Sequence, residues 1–170
     1  KLMGGMQAGL IAGRAELIES LRKNPLYRAL RPDKLVYTTI ETILEAFSKE
    51  TAWESIPLLR MLSMTAEEIG DRARYVVDQV FRRTGSVSQF KVIPGNSAVG
   101  GGAAPDAELP TFLIAIAPLG SSPNDLAKRL RETKPPVVAR IAEGLVLIDL
   151  RTVPSNDEAD LINALSSIAV

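Results

Sequence analysis

The sequence predicts an α+β fold, with helices gathered on one face of a small, mainly antiparallel sheet. Three observations carry that expectation. Apolar residues recur at helical spacing at both ends of the chain, short apolar runs of β type cluster in its second half, and one glycine-bearing turn joins two of those runs. The 170 residues suffice for one domain, or a domain with an extension, around a real core.

Taken in order, Ala8 to Ala12 is a short apolar run interrupted by Gly9 and followed by Gly13, and it reads as a buried strand. A helix is expected from about Arg14 to Lys23, with Leu17, Ile18 and Leu21 on one face, and Asn24-Pro25 stops it because a residue before proline is pushed out of the helical region. Pro32 suits a first turn and opens a helix to about Ser48, with Val36, Ile40, Ile43, Leu44 and Phe47 in register. Pro57 can start another. Thr65-Ala66-Glu67-Glu68 then reads as a capping box, followed by an apolar stripe of Ile69, Ala73, Val76, Val77, Val80 and Phe81 and a stop at Gly85. The break near residue 64 is expected to divide the chain into 1–64 and 65–170.

Beyond it, Gln89 to Ile93 alternates and Thr111 to Ala117 is apolar on both faces. Ser122 should cap a helix carrying Leu126, Ala127 and Leu130. Val137 to Ile141 and Leu145 to Leu150 flank Ala142-Glu143-Gly144, which reads as a three-residue hairpin loop. Ser155 is expected to cap a last helix, with Leu161, Ile162, Leu165 and Ile168 inward.

Composition narrows the function classes. Apolar residues at 46% and charged residues at 24% are ordinary for a soluble globular protein, and no apolar run approaches the twenty residues of a membrane span. No leader pattern is evident, so a cytoplasmic location is expected. With no cysteine and no histidine, disulfides, thiol chemistry and imidazole catalysis are excluded within this chain, and no metal site is expected. Basic and acidic residues balance at 20 each, yet residues 1 to 34 carry seven Lys/Arg against three Asp/Glu. That local excess suits an anionic ligand better than a long nucleic-acid track.

Three places could carry chemistry. Lys1 is followed by small, flexible residues that let the backbone bend away and leave its amine free to face a cofactor or substrate; a solvated loop is the plain alternative. Arg28 and Arg31 are three apart, so both guanidinium forks could converge on one phosphate-like anion, or simply form a solvated basic helix start. Arg140 sits at the end of an apolar run, as a cleft residue or as a strand-end ion pair. Lys34 reads as a surface charge, as do Arg82-Arg83 and the Arg129, Arg131, Lys134 cluster at helix ends. The glycine patch Gly100 to Gly102 fits no established phosphate-loop spacing and reads as a loop near a cleft mouth.

The blocks KLMGGMQAGLIAG, PLYRALRPDK, IPLLRML, GGGAAPDAELP, PPVVARI and LIDLRTV run in that order along nearly the whole chain. Together they resemble the C-terminal part of bacterial selenocysteine synthase, the family of pyridoxal-phosphate-dependent L-seryl-tRNA(Sec) selenium transferases. Met6 stands where that family usually has proline. The resemblance implies the C-terminal portion of a fold type I pyridoxal enzyme, with 1–64 ending the large cofactor domain and 65–170 forming the small one. It implies pyridoxal 5'-phosphate as cofactor on Lys1, and seryl-tRNA(Sec) and selenophosphate as partners. Conversion to selenocysteyl-tRNA(Sec) would pass through a dehydroalanyl intermediate, with Arg28 and Arg31 holding the selenium donor, in a homo-oligomer built as a ring of dimers. In the wider fold class an arginine near Arg140 clamps an α-carboxylate, which a seryl ester lacks. Two other readings stand beside this one: a related pyridoxal lyase acting on a phosphorylated amino-sugar acid, and a non-catalytic assembly or tRNA-docking module.

Overall fold

The computed structural model describes residues 3–86, 88–99 and 108–169. The chain divides into two units, Lys1–Ser63 and Met64–Val170.

The first unit is helical. Its elements are Ala15–Lys23 (α1), Pro25–Ala29 (α2), Lys34–Ser48 (α3), Ala52–Ser55 (α4) and Pro57–Ser63 (α5). Asn24 is extended, which ends α1, and its side chain accepts from Leu26 N at 2.9 Å, which starts α2. Asp33 starts α3 by accepting from Val36 N at 3.0 Å. Pro32, expected in the first turn of α3, therefore precedes its cap, because the carboxylate satisfies an orphan N–H that proline's ring cannot. Of the expected α3 stripe only Val36 and Ile43 are buried. Ile43 packs with Ala52, Ile56 and Leu59, whereas Leu44 and Phe47 remain 49% and 38% exposed. The strand expected at Ala8 to Ala12 does not form. Residues 7–14 carry no regular structure and Leu10 and Ile11 are 62% and 74% exposed, since in this unit no described strand offers the run a ladder to join.

The second unit is the expected α+β arrangement. Thr65 and Glu68 form the reciprocal capping box that opens Ala66–Thr84 (α6), and Gly85 closes it in the left-handed region at φ 73°. The strands are Phe90–Ala98 (β1), Glu108–Ile116 (β2), Arg140–Ala142 (β3) and Leu145–Asp149 (β4), in the antiparallel order β1-β2-β4-β3. Two further helices are Pro123–Arg131 (α7), capped by a box of Ser122 and Asp125, and Glu158–Ile168 (α8). Alternation sorts the sheet. Ile114, Ile116, Val146 and Ile148 join Ile69, Ala73, Val76 and Val80 of α6 with α7 and α8 in one core, while Leu113, Ala115 and Leu147 cluster on the other face. Phe81, expected in the α6 stripe, is 50% exposed.

Several boundaries differ from expectation, and four of them have a physical reason on view. β1 runs beyond Ile93 through Pro94, which an edge strand tolerates because it lacks one ladder partner. Between β3 and β4 the loop is two residues rather than three: Ala142 pairs with Leu145, and Glu143 and Gly144 both take positive φ, 51° and 76°, as a primed turn requires. Arg140 consequently opens β3 instead of ending a strand. Ser155 caps nothing. It opens a short 3-10 turn, Ser155–Asp157, and α8 begins at Glu158, whose carboxylate accepts from Arg72 Nε at 2.6 Å while Arg72 Nη2 donates to Val153 O at 2.6 Å. That pair of bonds fixes the entry to α8.

Candidate functional site

In the first unit a pocket of about 310 Å³ opens between the end of α1, the α2 turn and the start of α3. Its lining is Arg22, Tyr27, Arg28, Arg31 and Tyr37. Sequence dictates this meeting. α1 stops at Lys23, α2 starts at Pro25, and the single extended Asn24 between them folds the last turn of α1 close to Arg28 of α2. Leu30 ends α2 with φ −93° and ψ 6°, and Arg31 follows at once, so Arg28 and Arg31 both line one opening.

Electrostatically the pocket is one-sided. No described carboxylate lies within ion-pair distance of Arg22, Arg28 or Arg31. The nearest candidates in sequence are taken: Glu19 pairs with Lys23 at 2.9 Å, and Asp33 bonds the first turn of α3. Three guanidinium groups and two phenols form a donor set suited to an oxyanion with several unpaired oxygens. Among the described residues no cluster of acidic side chains suits a metal ion, and no helix is long and apolar enough to cross a membrane.

The other sequence-derived candidates fall elsewhere. Lys1 and the glycines Gly100 to Gly102 lie outside the described residues. From Met3 onward the segment is described: Gly4 takes φ +81°, and a Cβ at Gly5 would stand 1.9 Å from Ile43 Cδ1. Only glycine permits that approach. Arg140 belongs to the second unit, where it is exposed and donates from Nη2 to Asn96 O at 3.3 Å. Lys34 is exposed and does not line the pocket. Arg82 pairs with Asp78 at 2.7 Å and Arg83 bonds Asn163, as solvated helix-end charges do. Sequence reasoning missed Arg22, Tyr27 and Tyr37. The signal was present in Asn24-Pro25, which stops one helix six residues before Arg31's turn is complete and so brings Arg22 within reach.

A family model described as L-seryl-tRNA selenium transferase matches residues 1–154. The L-seryl-tRNA(Sec) selenium transferase of Geobacter sulfurreducens is 43% identical over 170 residues, covering 99% of this chain and 37% of that protein. That of Geobacter metallireducens is likewise 43% identical with the same coverage. The Clostridium perfringens protein of that name is 37% identical over 169 residues, 99% of this chain and 36% of its own. The chain thus spans little more than a third of the length of these curated relatives.

Proposed function

The chain belongs to the L-seryl-tRNA selenium transferase family, and from that premise we propose that the protein converts L-seryl-tRNA(Sec) to L-selenocysteyl-tRNA(Sec), with selenophosphate as donor and pyridoxal 5'-phosphate as cofactor. The observation that carries this reading is the convergence of Arg28 and Arg31 on one pocket with no described carboxylate to neutralise them. A tetrahedral dianion supplies what they lack. Guanidinium forks bind such a group through paired, charge-assisted bonds, and the same charge would stabilise the phosphate left when selenium departs.

The residues present fit the cofactor in kind. Lys1 offers a primary amine, the group that takes an aldehyde covalently. Three and four residues on, Gly4 and Gly5 pack on Ile56 and Ile43. When bound, pyridoxal phosphate supplies an electron sink for charge developing at the seryl α-carbon. Lys1 would hold it and carry the proton taken from that carbon. The serine hydroxyl would leave as water to give a dehydroalanyl-tRNA, whose β-carbon would then accept selenium from the donor held by Arg28 and Arg31.

The test is donor-dependent selenium incorporation into seryl-tRNA(Sec) by the full-length protein. Arg28→Ala and Arg31→Ala should each weaken donor use about tenfold or more, since a charge-assisted bond contributes roughly 1.5–3 kcal/mol. Lys1→Ala should abolish the visible absorption of bound pyridoxal phosphate. Unaltered donor dependence in both arginine variants, or a wild-type protein that stays colourless with the cofactor, would defeat the reading.

A further inference from the structure

Resting on the reading of Arg28 and Arg31 just given, we infer that Arg22 is a third binding arm of the same site, so that the donor's oxyanion is taken by three guanidinium groups between two phenols. The bend at Asn24 supplies the geometry. Asn24 N donates to Leu21 O at 3.1 Å and its side chain accepts from Leu26 N, so the end of α1 and the start of α2 are joined rigidly through one residue. Arg22 and Arg28 line one pocket as a result. The pairing of its neighbours supplies the second argument. Glu19, three residues before Arg22 and the carboxylate best placed to pair with it along α1, is held instead by Lys23 at 2.9 Å. Arg22 is exposed and has no described ion-pair partner. Charge supplies the third: three cations at one opening repel one another, and a bound polyanion converts that repulsion into attraction. Tyr27 and Tyr37, 48% and 49% exposed, wall the opening and offer neutral hydroxyl donors.

Calorimetric binding of inorganic phosphate to the full-length protein separates Arg22 from its surroundings. At physiological salt, charges more than about 8 Å apart are largely screened, so a direct contact stands out from the general field. Arg22→Gln is expected to weaken phosphate about tenfold. Lys34→Gln removes an equal charge from an exposed residue that does not line the pocket and should change affinity less than about twofold, as exposed charges do. Arg22→Lys should recover only part of the loss, because an ammonium lacks the planar fork. Full affinity in Arg22→Gln, with Arg28→Gln and Arg31→Gln still defective, would overturn the role of Arg22 and leave the Arg28–Arg31 reading intact. Equal losses in Arg22→Gln and Lys34→Gln would also overturn it, as a field effect. A wild-type protein that binds no phosphate would remove both. Arg22 is exposed, so an unchanged thermal midpoint should accompany each affinity measurement.

Discussion

A guanidinium withdrawn from water must find acceptors for its N–H groups, and Arg151 does so at 5% exposure. Its Nε donates to Ser97 Oγ at 3.0 Å, Nη1 to Met64 O at 2.9 Å and Nη2 to Pro110 O at 2.7 Å, so one side chain ties β1, the first residues of β2 and the start of the second unit to the 3-10 turn Leu150–Thr152 that follows β4. Arg151→Met keeps the apolar stem and removes the donors to Ser97 Oγ, Met64 O and Pro110 O, acceptors that are only partly buried, which predicts a loss of about 1–3 kcal/mol in urea unfolding; a loss near zero would mean that water replaces the guanidinium. Arg140 differs. It is exposed with one long bond, and a seryl ester offers it no carboxylate, so Arg140→Lys should leave turnover of seryl-tRNA(Sec) far less affected than Arg28→Lys. A severe Arg140→Lys defect, with release of ammonia from a phosphorylated amino-sugar acid, would point to a lyase instead. That Arg28 and Arg31 would lie side by side was legible because it depends on one turn of chain. Arg22 was signalled only by the Asn24-Pro25 stop that folds α1 against α2, and Arg151 not at all, since its partner Ser97 lies 54 residues away.

Elements were legible where their ends are written locally. Thr65 with Glu68, Gly85, and Ser122 all mark boundaries through groups within three or four residues of the bonds they make. Pro32, Ser155 and Ala8 to Ala12 misled because a competing cap, an arginine from another helix, or the want of a partner strand decided the outcome. The capping boxes carry a pH signature. Glu68 is held below the usual carboxylate range by the Thr65 N–H and then the Thr65 hydroxyl, and Asp125 by the Ser122 hydroxyl and then the Ser122 N–H. A carboxylate whose folded pKa is depressed stabilises the fold above its unfolded pKa and ceases to do so as pH falls through the folded value. The Glu68→Gln/Asp125→Asn double variant should therefore melt below wild type at neutral pH, and the gap should close as pH drops below about 4. A gap independent of pH would show that geometry alone, without charge, sets these helix starts.

At the scale of the whole molecule the two units differ in what they bury. The second holds Ile69, Val76, Val80, Ile114, Ile116, Leu130, Val146, Leu150 and Leu165 at zero exposure, drawn from helices and strands distant in sequence. In the first, the cluster around Ile43 retains 9% exposure at that residue and 7% at Ile56, while Leu26, Leu30 and Leu35 stand 67%, 79% and 70% exposed. Ordering each residue costs roughly 1–2 kcal/mol of backbone entropy, which apolar burial must offset. Residues 64–170 alone should accordingly unfold in one cooperative thermal transition with dispersed amide resonances. Residues 1–63 alone should not, because helices this short need an apolar face covered to persist in water. The arginine pocket lies wholly within that weaker unit, so phosphate, by binding the folded form only, should raise the first unit's helicity with a midpoint that depends on phosphate concentration. A cooperative melt of 1–63 without phosphate, or a 64–170 segment that melts gradually, would reverse this ordering of the two units.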